Sequence, residues 1–177
     1  MLYAFGFGRL GVVVSDLYFV DPNAPADQEG PEQGVRLELR VFEPRELRGS
    51  IYSARPIGVE APIWRADLLE SVANPGSLDR AHHHPRFHGW EPGRRHFVDE
   101  MTADPLAFIG KQLADPDALL ETAGVSQEDI DPSDVQELRN AVPEIVDAVQ
   151  RLLDRVHAGT LAQPDASGAA ASRVSWL

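Results

Sequence analysis

Residues 35–42, VRLELRVF, decide the fold class. Val35, Leu37, Leu39 and Val41 alternate with Arg36, Glu38, Arg40 and Phe42. Successive side chains of a strand point to opposite faces. The pattern is therefore a half-buried strand, apolar on one side and charged on the other. Glu43-Pro44 ends it.

Working toward the start of the chain, residues 2–7 and 11–20 read as two more strands, rich in Val, Tyr and Phe. Gly8-Arg9-Leu10-Gly11 reads as the hairpin turn between them, or Gly11 as a bulge. Gly6, Gly8 and Gly11 spell G-x-G-x-x-G, but that motif binds phosphate only where a helix follows, and here a strand follows. Residues 21–34, DPNAPADQEGPEQG, read as a polar surface loop. Working toward the end, residues 50–59 read as a strand with Pro56 at an edge or bend. Residues 61–69 read as a further strand that sends Trp64 to the core and Ile63, Arg65 and Asp67 to the opposite face. Asn74-Pro75-Gly76 is a turn.

From residue 104 the period changes from two to between three and four. Asp-Pro recurs at Asp104-Pro105, Asp115-Pro116 and Asp131-Pro132. In each pair Asp caps a helix and Pro fills its first position, where a missing N–H is harmless. Gly124 and Gly159 are stops. Ile130 and Val135 are spaced for a hydrophobic staple. Val135, Leu138, Val142, Ile145, Val149, Leu152 and Val156 form a seam of the coiled-coil kind. It is expected to pack on the sheet, or on a second copy as a homodimer through residues 135–156. Pro143 should kink or restart this helix.

Strands first and helices after predict an α+β fold. An antiparallel sheet of five to seven strands is expected over 2–100, covered by a helical layer over 104–158, all within a single domain of residues 1–160. Residues 161–177 read as a flexible tail ending in the apolar pair Trp176-Leu177, which can fray or dock as a short extra strand.

Between sheet and helices lies Asp79–His96, DRAHHHPRFHGWEPGRRH, which holds five of the six histidines. If Arg80 to His88 is extended, His82 and His84 share a face with Arg80, Arg86 and His88. A His-x-His pair on a strand projects two imidazoles side by side, a chelate suited to zinc or iron. His88 or His96 is the candidate third ligand. Asp67 and Glu91 are candidates for a carboxylate ligand or general base, and Arg86 and Arg94 for holding a small anionic ligand. Asp67 can reach His82 or His84 if the strand over 61–69 pairs with the His-rich one. Pro85 implies an edge strand or an early end. The cupin metal pattern does not carry over: Glu91 is too far from His84, and Pro92-Gly93 lacks the spacer residue.

Composition removes other classes. The chain has 177 residues, no cysteine and a net charge of −12. Disulfides, a thiol nucleophile and thiolate-bound metal are excluded. Acidic balance argues against DNA binding. Yet residues 36–100 carry ten Arg against ten acids, so the middle of the chain is locally suited to anions. No signal-like leader and no long apolar run are present, so a cytoplasmic protein without a membrane span is expected. Three readings stand. The first is a zinc or iron protein, or a metal-dependent enzyme. The second is a metal-free, toxin-like ribonuclease that cleaves phosphodiesters with His and Arg. The third is a non-catalytic assembly component.

Overall fold

A computed structural model of the chain describes residues 1–21, 23, 30–44 and 57–161. Most of the strand expected over 50–59, the centre of the loop expected over 21–34, and the tail with Trp176 and Leu177 lie outside the described residues.

The architecture is α+β. Five antiparallel strands lie side by side in sequence order: β1 Leu2–Phe7, β2 Leu10–Val20, β3 Pro31–Pro44, β4 Ile57–Ser71 and β5 His82–His84. A two-stranded ribbon follows, β6 Phe87–His88 with β7 Glu91–Pro92. The helices are α1 Asp99–Ala103, α2 Pro105–Leu113, α3 Pro116–Ala123 and α4 Pro132–His157.

Three differences from the expected elements have local causes. β3 begins at Pro31, inside the expected loop, because Pro31 to Gly34 pair with Leu17–Val20 on one side and Glu32 to Gly34 with Leu69–Ser71 on the other. Tertiary pairing overrides a sequence poor in strand formers. The helix α1 lies across the end of the span expected to be sheet, before the first expected helix, and has no side-chain cap. The long helix α4 runs through Pro143 without restarting. The Asp-Pro starts behave as capping chemistry requires: Asp104 accepts from Ala107 N at 2.9 Å, Asp115 from Ala118 N at 3.2 Å and Asp131 from Ser133 N at 2.8 Å.

Strand register sorts every side chain to one of two faces. Val12, Leu39 and Trp64 stand in one row, and Val14, Leu37, Ala66 and His83 in the next. This face lies under the helices, with α4 across β1, β2 and β3. The seam of α4 packs here: Leu138, Ile145, Val149 and Leu152 are fully buried. A hairpin-to-helix clasp fixes the docking. Asp134 accepts from Arg9 N at 2.8 Å. Gly8 turns there with φ 59°, and any side chain would strike the Asp134 carboxylate. Among the described residues, no helix is long and apolar enough to cross a membrane.

Candidate metal centre

The opposite face of the sheet is charged. Its rows are Ser15, Arg36, Asp67, His82 and Val13, Glu38, Arg65, His84. Asp67 is 1% exposed, and His82 and His84 are 3% each. Polar groups this deeply buried need partners, and these supply one another.

The ring tautomers follow from the backbone. His82 Nδ1 lies 2.7 Å from the carbonyl of Arg80, and His84 Nδ1 lies 2.8 Å from the carbonyl of Gly93. A carbonyl oxygen only accepts, so each ring donates from Nδ1. In the neutral ring Nε2 is then a bare lone pair. Both Nε2 atoms point to the same place, 3.1 Å apart. Asp67 Oδ2 lies 3.4 Å from the first and 3.7 Å from the second. Three atoms at those separations leave a central point about 2.0 Å from each, which is the length of a Zn–N or Zn–O bond. This Asp67, His82 and His84 group can hold a metal ion.

Local structure sets these atoms. Asp67 pairs directly with His82 across β4 and β5. The turn into β5 is closed by Arg80 N on Leu69 O at 3.1 Å, which places the Arg80 carbonyl under His82. Leu78 takes φ 50° in that turn, a strained value for leucine, while its side chain is buried. Gly93 N donates to Arg86 O at 2.9 Å. A Cβ on Gly93 would come within 2.7 Å of that oxygen. Glycine at this point therefore lets the ribbon close and brings its own carbonyl to His84.

Two arginines complete the group. Arg36 Nε donates to Asp67 Oδ1 at 2.6 Å, and Arg65 Nε sits 3.0 Å from Oδ2. Arg65 Nη2 also lies 3.0 Å from His84 Nε2. Burial alone would raise the Asp67 carboxyl, but Arg36, His82 and Arg65 outweigh it and hold Asp67 well below the usual carboxylate range. Burial pushes His84 down to about 4, with Arg65 adding to the shift and the Gly93 carbonyl opposing it. Both residues thus stand as metal ligands require: carboxylate ionised, imidazole neutral.

The other candidates lie elsewhere. β5 ends before Pro85, so Arg86 and His88 do not continue the His82–His84 face. His88 and Glu91 face each other on the exposed ribbon, and Arg94 is exposed. His96 pairs with His83 through the backbone at 2.9 and 3.0 Å, and their rings stand 5.5 Å apart. It therefore belongs with the helix-covered face. Arg36 was not among the sequence candidates. The alternation of 35–42 puts it on the charged face, but only the β3–β4 register puts it on Asp67.

Phe97 flanks the group at 5.4 Å from the His82 ring, and Phe87 flanks it at 6.1 Å from the His84 ring. On the far side of Phe87 an open recess of about 310 Å³ is lined by Ile63, Phe87 and Trp90 among others; none of the group's own residues lines it. Comparison with family models, curated proteins and solved structures finds no match, so the chemistry of the group is argued from its atoms.

Proposed function

We propose that this protein binds a zinc or iron ion through Asp67, His82 and His84 and uses it with coordination positions left open. The observation that carries this is the pair of Nδ1–carbonyl hydrogen bonds. They aim two lone pairs and a carboxylate oxygen at one point. His82 Nε2 faces only His84 Nε2 and Asp67 Oδ2, both of which accept. A metal ion satisfies all three acceptors at once. Backbone carbonyls on the far ring nitrogens are also the usual support for metal-bound histidines.

Two histidines and a carboxylate suit either ion. Zinc would supply an activated water for hydrolysis, and iron would supply oxygen or redox chemistry. The protein's own part is to fix the three donors, exclude bulk water and keep positive charge alongside. Elemental analysis of untagged protein tests the reading. Near-stoichiometric metal, lost in H82A/H84A, is the expected result. No metal after incubation with either ion overturns it.

The metal-free alternative has one observation in its favour. A proton can occupy the point between His82 Nε2 and Asp67 Oδ2, making His82 a general acid beside Arg36 and Arg65. An activity that survives a chelator and is lost in H82A would select it over the metal.

A further inference from the structure

Asp67 is a single carboxylate approached by two guanidiniums, and the second holds an unusual position. Arg65 reaches two of the three atoms a metal would need, Asp67 Oδ2 and His84 Nε2, both at 3.0 Å. Its Nε is buried and makes no hydrogen bond of good geometry, and neither does Asp67 Oδ2. The charge of Asp67 and the Nη2 contact with the His84 lone pair keep Arg65 there. Arg36 and Arg65 are also the more open members of the group, with side chains 30% and 14% exposed.

We infer that Arg65 is the site's own counter-cation, displaced when metal binds, and that with Arg36 it then holds a small anionic ligand on the metal. This deepens the metal reading above and rests on it. A divalent ion at the centre of the triad takes up the His84 lone pair and the Asp67 charge, which are the two contacts that hold Arg65. The guanidinium already lies over the Phe87 ring, 5.5 Å from its centre, and keeps that partner as it withdraws. Asp67, and Glu38 already paired with Arg40, would then face Arg36, Arg65 and a divalent ion in a poorly hydrated place. That excess of positive charge is satisfied by an anion.

The donors for the anion are present. Arg36 uses only Nε on Asp67, and its two terminal nitrogens make no hydrogen bond among the described residues. Arg40, on the same face, is engaged by Glu38 and by the Glu60 carbonyl. Arg36 and Arg65 are therefore the pair that can grip a carboxylate or phosphate.

Cobalt(II) titration of the full, metal-free chain tests this, followed by the absorption of the bound ion. Titrations are run alone, with acetate and with inorganic phosphate. Arg65→Met should bind cobalt about tenfold more tightly than wild type without an anion, because the competing charge is gone. Wild type should gain about tenfold from the preferred anion, and Arg65→Met and Arg36→Met should gain little. The anion giving the larger gain identifies the class. Unchanged or weaker cobalt binding in a folded Arg65→Met overturns the counter-cation role, and an anion without effect on wild type overturns the anion site. Wild type that takes up no cobalt overturns the metal reading and this inference together. If Arg65→Met loses its circular dichroism, Arg65→Gln takes its place with the same outcomes.

Discussion

The two faces of the sheet come from the same strands and are held by opposite physics. On the helix side, Val12, Leu37, Leu39, Trp64 and Ala66 are sealed under the helices, where stabilisation grows with apolar area and needs little directional precision. On the other side, Arg36, Arg65, Asp67, His82 and His84 are held by distances of 2.6 to 3.7 Å. Buried ion pairs of this kind add little net stability, while losing one partner is expensive. The helix side explains why the chain folds. The charged side is folded at some cost and is therefore where function is to be sought.

The largest expected effect lies on the helix side. Leu37→Ala removes a fully buried side chain from the centre of the sheet and should cost about 3 kcal/mol. Denaturant melts should show that loss equally with and without zinc. A loss confined to one condition would mean that the faces are coupled and the contrast is false.

The charged side should answer to metal. A ligand that binds only the folded state at a hundred times its Kd stabilises by about 2.7 kcal/mol. Zinc should raise the unfolding midpoint of wild type by that order, leave H82A/H84A unmoved, and still raise Leu37→Ala. Metal stabilisation that persists in H82A/H84A would place the ion somewhere else.

Acid probes both faces at once. His84 on the charged side and His83 on the helix side are each pushed down to about 4, by burial first. An unfolded chain takes up these protons below about 6.5, whereas the folded one does not until about 4. The unfolded state thus binds more protons across that window, and the metal-free protein should lose stability as pH falls from about 6.5 to about 4. Melts at pH 7.5 and pH 5 check the sign. Equal or greater stability at pH 5 would mean that one or both histidines are already protonated in the folded chain.

What the sequence made legible follows the same division. Alternation in 35–42 and 61–69 identified both strands and their charged faces, because a period of two is a local property. The three Asp-Pro helix starts were legible for the same reason. Arg36 was not, because its partner Asp67 is thirty-one residues away and only strand register joins them. Arg86, His88 and Glu91 lie apart from Asp67, His82 and His84, on or beside the exposed ribbon. The extended face was carried past Pro85, where the backbone leaves the ladder. The short α1 gave no signal, having neither a capping side chain nor the length for a period.

The smallest effect separates the faces most sharply, because it falls between two adjacent residues. His83 lies between His82 and His84 in β5 but points to the helices, where its ring meets Phe108 at 5.5 Å. Its Nδ1 accepts from Trp64 Nε1 at 3.3 Å, so it carries its proton on the other nitrogen from its neighbours. His83→Leu keeps the volume and apolar contact but leaves the Trp64 N–H without its acceptor, a loss of about 1 kcal/mol. The long donor distance and the half-buried position hold it to the lower end of such losses. Metal content and the zinc-induced midpoint shift should be unchanged, whereas His82→Leu or His84→Leu should remove both. If His83→Leu also lost the metal with its fold intact, the side-chain alternation along β5 would be wrong, and the grouping of Asp67, His82 and His84 would fall with it.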